Sequence, residues 1–131
     1  MKKTLITPPN HTVPRGAYSP ALLVEHNGMS TLFVTGQLAV SPDGLVVAPN
    51  DVFAQTEYVF ELLGSLLKTA GMDFGDIVKV QTFLTNMADF ERFTVVRDRY
   101  FAETRPVSTL LEVKGLAHEG CCVEIEVTAI K

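Results

Sequence analysis

The 131 residues predict an α/β (α+β) protein in which two helices pack on one face of a mixed β-sheet. Two segments carry apolar residues at helical spacing, and β-rich segments of alternating polarity lie before, between and after them. An Asn-Gly pair and a Pro-Asp-Gly run mark turns. The length fits one domain, 1–131, and a hydrophobic content of 47% excludes a disordered chain.

Taken in order, Thr4-Leu5-Ile6 offers a short first strand, and Thr7-Pro8-Pro9-Asn10-His11 is a loop by its prolines. Residues 21–25 and 31–37 read as strands, joined across His26-Asn27-Gly28, where Asn and Gly tolerate the positive φ of a hairpin turn. Ser41-Pro42-Asp43-Gly44 is a further turn. Asn50 is suited to cap a helix, with Asp51 in its first turn. Val52, Val59, Leu63, Leu66 and Ala70 then recur at helical spacing up to Gly71 at the C-cap. Residues 76–85 read as a strand with Val78, Val80, Thr82 and Leu84 on one face and Ile77 and Phe83 on the other. A second helix covers about 87–102, its stripe of Phe90, Phe93, Val96, Tyr100 and Phe101 explained by core packing. The last strands, 107–116 and 121–130, read as an antiparallel hairpin closed by Ala117-His118-Glu119-Gly120.

Composition narrows the function. The net charge is −4 and no basic run extends beyond Lys2-Lys3, so the phosphate-neutralising footprint of a nucleic-acid binder is missing. No apolar stretch reaches transmembrane length, and Lys2-Lys3 is not followed by the apolar region of a signal peptide. Cys121 and Cys122 are adjacent and point to opposite faces of a strand, so they read as two reduced thiols of a cytoplasmic protein. His11, His26 and His118 are scattered, with no metal-type spacing.

Alternation places Cys122, Glu124, Glu126 and Thr128 on one face of the last strand. Matching apolar to apolar residues across the expected hairpin puts Glu112 beside Glu124 and Glu126. Such a face is either open to solvent or lines a subunit interface, where clustered carboxylates repel and a pKa rises toward the range of general acid–base work.

Several segments, in order over nearly the whole chain, resemble the Rid (YjgF/YER057c/UK114) family. Gly16-Ala17-Tyr18-Ser19 resembles its Gly-Pro-Tyr-Ser segment, and Phe33-Val34-Thr35-Gly36-Gln37 its strand ending in Ser/Thr-Gly-Gln. Residues 51–71 resemble its first long helix, and Gly75-Asp76-Ile77-Val78-Lys79 and Asp89-Phe90 its next strand and helix starts. Val123-Glu124-Ile125-Glu126 resembles its closing strand. The resemblance implies a chorismate-mutase-like fold, a homotrimer, and clefts between subunits in which a small-molecule metabolite binds. It implies hydrolysis of reactive imines and enamines such as 2-aminoacrylate, without a cofactor; the expectation of no nucleic-acid or membrane partner rests on composition alone. The family also carries the labels endoribonuclease and translation inhibitor, which the acidic composition does not support.

Carried over residue by residue, the resemblance makes Glu124 the catalytic group that positions water. Tyr18, Thr35 and Gly36 become substrate-binding positions. The family's carboxylate-binding arginine lies in a Pro-x-Arg segment, four residues before a Glu-Val pair; here Pro106-Val107-Ser108 precedes Glu112-Val113, so the position holds Ser108. An Asn of the second helix is replaced by Thr94. A hydroxyl lacks the charge and the bidentate grip of a guanidinium. Arg105 lies an odd number of residues before Ser108 and is expected on the opposite strand face, and Arg15 reads as a surface loop residue. The expectation is therefore a Rid-type hydrolase whose standard 2-aminoacrylate deamination is impaired; the competing reading is a trimer that binds a small molecule without turnover.

Overall fold

The computed structural model describes residues 1–131. Strands β1 (Lys2–Ile6), β2 (Ala21–His26), β3 (Met29–Leu38), β4 (Ile77–Leu84), β5 (Val107–Glu112) and β6 (Val123–Ile130) form one mixed sheet in the order β1-β2-β3-β6-β4-β5. Helices α1 (Val52–Thr69) and α2 (Phe90–Phe101) cover one face. Val59, Leu63 and Leu66 of α1 and Phe93 and Val96 of α2 share a core with Val80, Leu84, Val123, Ile125 and Val127 of the sheet. The opposite face carries Phe33, half-exposed, and the alternate residues of β6.

Local chemistry explains most of the elements. The β2–β3 hairpin turns at Asn27 (φ 50°) and Gly28 (φ 80°), both left-handed, as its two-residue loop requires. The cap of α1 is Asp51, whose carboxylate accepts from Ala54 N at 3.1 Å. Asn50, expected in that role, instead adopts φ 62° and donates its N–H to Gly120 O. Gly71 ends the helix at φ 74°. Phe90, expected in the core stripe, is 40% exposed because α2 begins there, after a short 3₁₀ turn at Met87–Asp89.

Two strand assignments are corrected. β5 and β6 are not a hairpin: β5 pairs parallel with β4 at the sheet edge, while β6 inserts antiparallel between β3 and β4. Helix α2 supplies the crossover that a parallel β4–β5 pair needs. Burial agrees, since β6 alternates between buried and half-buried residues whereas β5 is mostly exposed. Register then places Ser108, Leu110 and Glu112 across from Val80, Thr82 and Leu84 on the helix side, and Glu124 and Glu126 across from Phe83 and Gln81 on the open side. Glu112 therefore does not join the other two carboxylates; it accepts from Met87 N at 2.7 Å. In β4 the register slips by one residue between Ile77 and Lys79, so Ile77 turns into the core and Val78, expected there, is 41% exposed.

Candidate functional site

The site begins at a bulge. β3 pairs Val34 with Val127 but Gln37 with Ile125, so it carries one extra residue at Thr35-Gly36. Bulges break the ladder and re-aim side chains. Here the freed groups of Thr35 pin the preceding loop: its N–H donates to Pro20 O at 2.9 Å and its hydroxyl to Ser19 O at 2.6 Å. That holds Tyr18 beside the bulge. Thr12 anchors the other end of the loop, donating to Val40 O at 2.7 Å.

Between this loop and the sheet lies a cavity of about 510 Å³, lined among others by His11, Arg15, Tyr18, Thr35, Gly36 and His118. Its size suits a small metabolite. Arg15 is its one Arg or Lys and forms no ion pair. Burial lowers the His11 pKa, against an opposing hydrogen bond with Gln37, which favours a neutral imidazole. Neither His11 nor His118 stands out in the sequence; only the fold brings them together. No group of three His, Cys, Asp or Glu side chains comes close enough to hold a metal ion.

Glu124 is half-buried on the open side of β6 and packs against Gly36. A methyl on Gly36 would lie 2.8 Å from Glu124 Cδ, so glycine is needed for this approach. Burial, and then the charge of Glu126, push the Glu124 carboxyl above its ordinary value. Such a group holds or passes on a proton more readily near neutral pH than a solvated carboxylate does.

The sequence-derived positions thus fall into two groups. Tyr18, Thr35 and Gly36 share the first cavity, with Glu124 against its glycine. Ser108 lines a different cavity beside the edge strand, on the helix side. Thr94, half-buried on α2, donates to Glu91 O at 2.8 Å and lines neither. Within one chain, Ser108 and Glu124 lie on opposite faces of the sheet.

The sequence model of the Endoribonuclease L-PSP family matches residues 9–131. The chain belongs to the Rid (YjgF/UK114) family. Among Rid-family relatives, a RutC family protein of Pyrococcus horikoshii is 32% identical over 100% of this chain and 99% of its own length. A 2-iminobutanoate/2-iminopropanoate deaminase of Rattus norvegicus is 32% identical over 88% of this chain and 81% of its own. The crystal structure of YyfA from Yersinia pestis, a Rid protein of unknown function, superposes with a TM-score of 0.85 at 34% identity, covering 98% of both chains. The mixed sheet with two packed helices is therefore the Rid fold, and the bulge with its neighbouring glutamate is set within it.

Proposed function

We propose that this protein is a cofactor-independent hydrolase of a small imine or enamine, working as a homotrimer in which neighbouring subunits each supply half of a site. The observation that carries the reading is the Glu124 carboxyl held against Gly36 with a raised pKa, at the edge of a cavity lined by Tyr18 and Thr35. Its separation from Ser108 within one chain supports a site completed across a subunit boundary. The name of the Rattus norvegicus relative, an iminobutanoate and iminopropanoate deaminase, supports the reaction class.

In this mechanism an enamine first tautomerises to the imine, a proton moving from nitrogen to carbon; Glu124 then accepts a proton from water as the oxygen attacks the C=N carbon and passes that proton to the nitrogen. Collapse of the resulting carbinolamine breaks the C–N bond, releasing ammonia and leaving a carbonyl. Every atom comes from substrate and water. Tyr18 and the Thr35-Gly36 bulge shape the cavity around the reacting carbon.

Ser108 sets the expected limit. Removing a cation from a desolvated carboxylate site costs about 2–5 kcal/mol, or roughly 30- to several-thousand-fold in rate. Turnover of 2-aminoacrylate and of small 2-imino acids is expected to be slow, and Ser108→Arg is expected to raise kcat/KM by about tenfold or more. The assay follows hydrolysis of imines generated in place from amino acids. No turnover by either protein, with the trimer intact, would replace this reading with that of a non-catalytic binding trimer.

A further inference from the structure

The loop between β1 and β2 carries His11 to the cavity beside the bulge, where a buried amide holds its ring. Gln37, only 5% exposed, lies across from Ile125 on the helix side of the sheet, just past the bulge. Its side-chain N–H donates to Thr35 O at 2.7 Å. The same amide bonds the His11 imidazole, and that bond favours the protonated ring. It therefore runs from a ring N–H to the amide oxygen, because an N–H donated by the amide would favour the unprotonated ring instead. The loop backbone is fixed as well, by the His11 N–H on Pro8 O at 3.3 Å and the Thr12 hydroxyl on Val40 O at 2.7 Å.

A neutral imidazole has one N–H and one lone pair. With the N–H committed to Gln37, the second ring nitrogen is an acceptor. The nearby side-chain donors are turned elsewhere: Gln37 to Thr35 O, Thr12 to Val40 O and Thr35 to Ser19 O. No buried side-chain nitrogen or oxygen lacks a partner, so this nitrogen faces the open space of the cavity. The other titratable groups on that space are Arg15, Tyr18, Asp43 and His118. The first three are exposed and meet water, and Asp43 also accepts from the Ser41 hydroxyl. At about 510 Å³ the cavity lies within the range that receives drug-sized ligands, about 300–1,000 Å³. Room therefore remains beyond a reacting C=N group, and His11 is on its wall.

We infer that His11 is a specificity-determining residue: its free ring nitrogen accepts a hydrogen bond from an N–H or O–H group of the substrate, selecting an uncharged imine that carries such a donor over one that lacks it. Gln37 acts through His11 as a positioning residue, fixing which ring nitrogen bears the proton. A site built around a hydrogen bond rejects an analogue that cannot make it, because the protein group is then left unpaired. The class also suits Ser108, which offers no charge to a carboxylate. This deepens the proposed function by naming the substrate class. It rests on that reading for placing the C=N group beside Glu124, and not for binding.

The test is calorimetric titration of the full-length protein with two uncharged probes. One is 2-oxobutyramide, whose ketone stands in for the C=N group; the other is methyl 2-oxobutyrate, of similar size but without a donor. Near neutral pH the wild type is expected to prefer the amide by about 3- to 10-fold, the worth of one hydrogen bond between uncharged groups. His11→Phe keeps a ring without nitrogens and is expected to bring the ratio of affinities to about one. His11→Gln keeps both a donor for Gln37 and an acceptor, and is expected to retain part of the preference. Circular dichroism checks that each variant is folded. A second readout needs no variant. Protonation turns the free nitrogen into a donor, so the preference should hold at neutral pH and disappear as pH falls through the lowered His11 pKa. Taken as a ratio, it cancels effects of Glu124, Asp43 and Arg15 that touch both probes alike, and His118→Phe is expected to leave it in place. Equal affinities or no binding in the wild type, an unchanged ratio in His11→Phe, a ratio independent of pH, or its loss in His118→Phe would overturn the inference. Imine turnover, measured in parallel, separates the two claims: amide preference through His11 without hydrolysis removes the hydrolase reading and leaves this one standing, and hydrolysis without the preference does the reverse.

Discussion

Gly36→Ala tests the link between the bulge and the candidate catalytic carboxyl. An added methyl would lie 2.8 Å from Glu124 Cδ and 3.0 Å from both Cγ and Oε1. Ordinary carbon contacts lie at about 3.5–4.0 Å, so the carboxyl must retreat by about 0.7–1.2 Å. Displacement of about 1 Å in a reacting constellation costs on the order of 100-fold in rate. The fold should survive. Gly36 is not in the left-handed region, so alanine fits the backbone, and the atoms that must move belong to a flexible side chain. The entropic gain of alanine, about 0.4–1 kcal/mol, offsets much of the rotamer strain placed on Glu124, about 0.5–1.5 kcal/mol. The expected result is kcat reduced by about two orders of magnitude, with a melting temperature within a few degrees of wild type. In a Glu124→Gln background the same substitution should cost little more, because both changes act on one group. Full activity in Gly36→Ala, or independent multiplication of the two losses, would refute the assignment.

Glu124→Gln alone should lower kcat by about 10²–10⁴-fold while stabilising the protein at neutral pH. A raised folded-state pKa means that the native state keeps its proton to higher pH than the unfolded chain. Stability from this group is full below the unfolded pKa and is lost as pH rises through the folded pKa; thermal melts across pH should show the variant's advantage growing with pH and vanishing in acid. Gln55→Leu should destabilise by about 3–5 kcal/mol in urea denaturation. Gln55 is fully buried, its amide donates to Val47 O, Ala48 O and Gly120 O, and its carbonyl accepts from Cys122 N; an apolar side chain leaves Val47 O and Cys122 N unpaired, while Ala48 O keeps Asp51 N and Gly120 O keeps Asn50 N. Light scattering coupled to size exclusion should give about three times 14.3 kDa; a monomer would leave Ser108 and Glu124 unable to form one site.

The sequence by itself determined the elements whose causes are local. The left-handed turn at Asn27-Gly28, the periodic face of α1 and its end at Gly71, and the alternation of Val123, Ile125 and Val127 each depend on neighbours a few residues apart, and each appears where the pattern places it. Ordered motifs such as Thr35-Gly36-Gln37 and Val123-Glu124-Ile125-Glu126 marked the family for the same reason. Only the tertiary structure decided strand order, because β6 could satisfy its backbone with any neighbour, and the α2 crossover, not the nearness of β5 in sequence, placed it between β3 and β4. That one choice moved Glu112 and Ser108 to the face opposite Glu124. Bulges at Val78 and at Thr35-Gly36 each shift alternation by one residue without a mark in the polarity pattern. Arg105 shows the same limit: its place beside Ser108 follows from a backbone dihedral held by hydrogen bonds to the end of α2, which no spacing rule encodes.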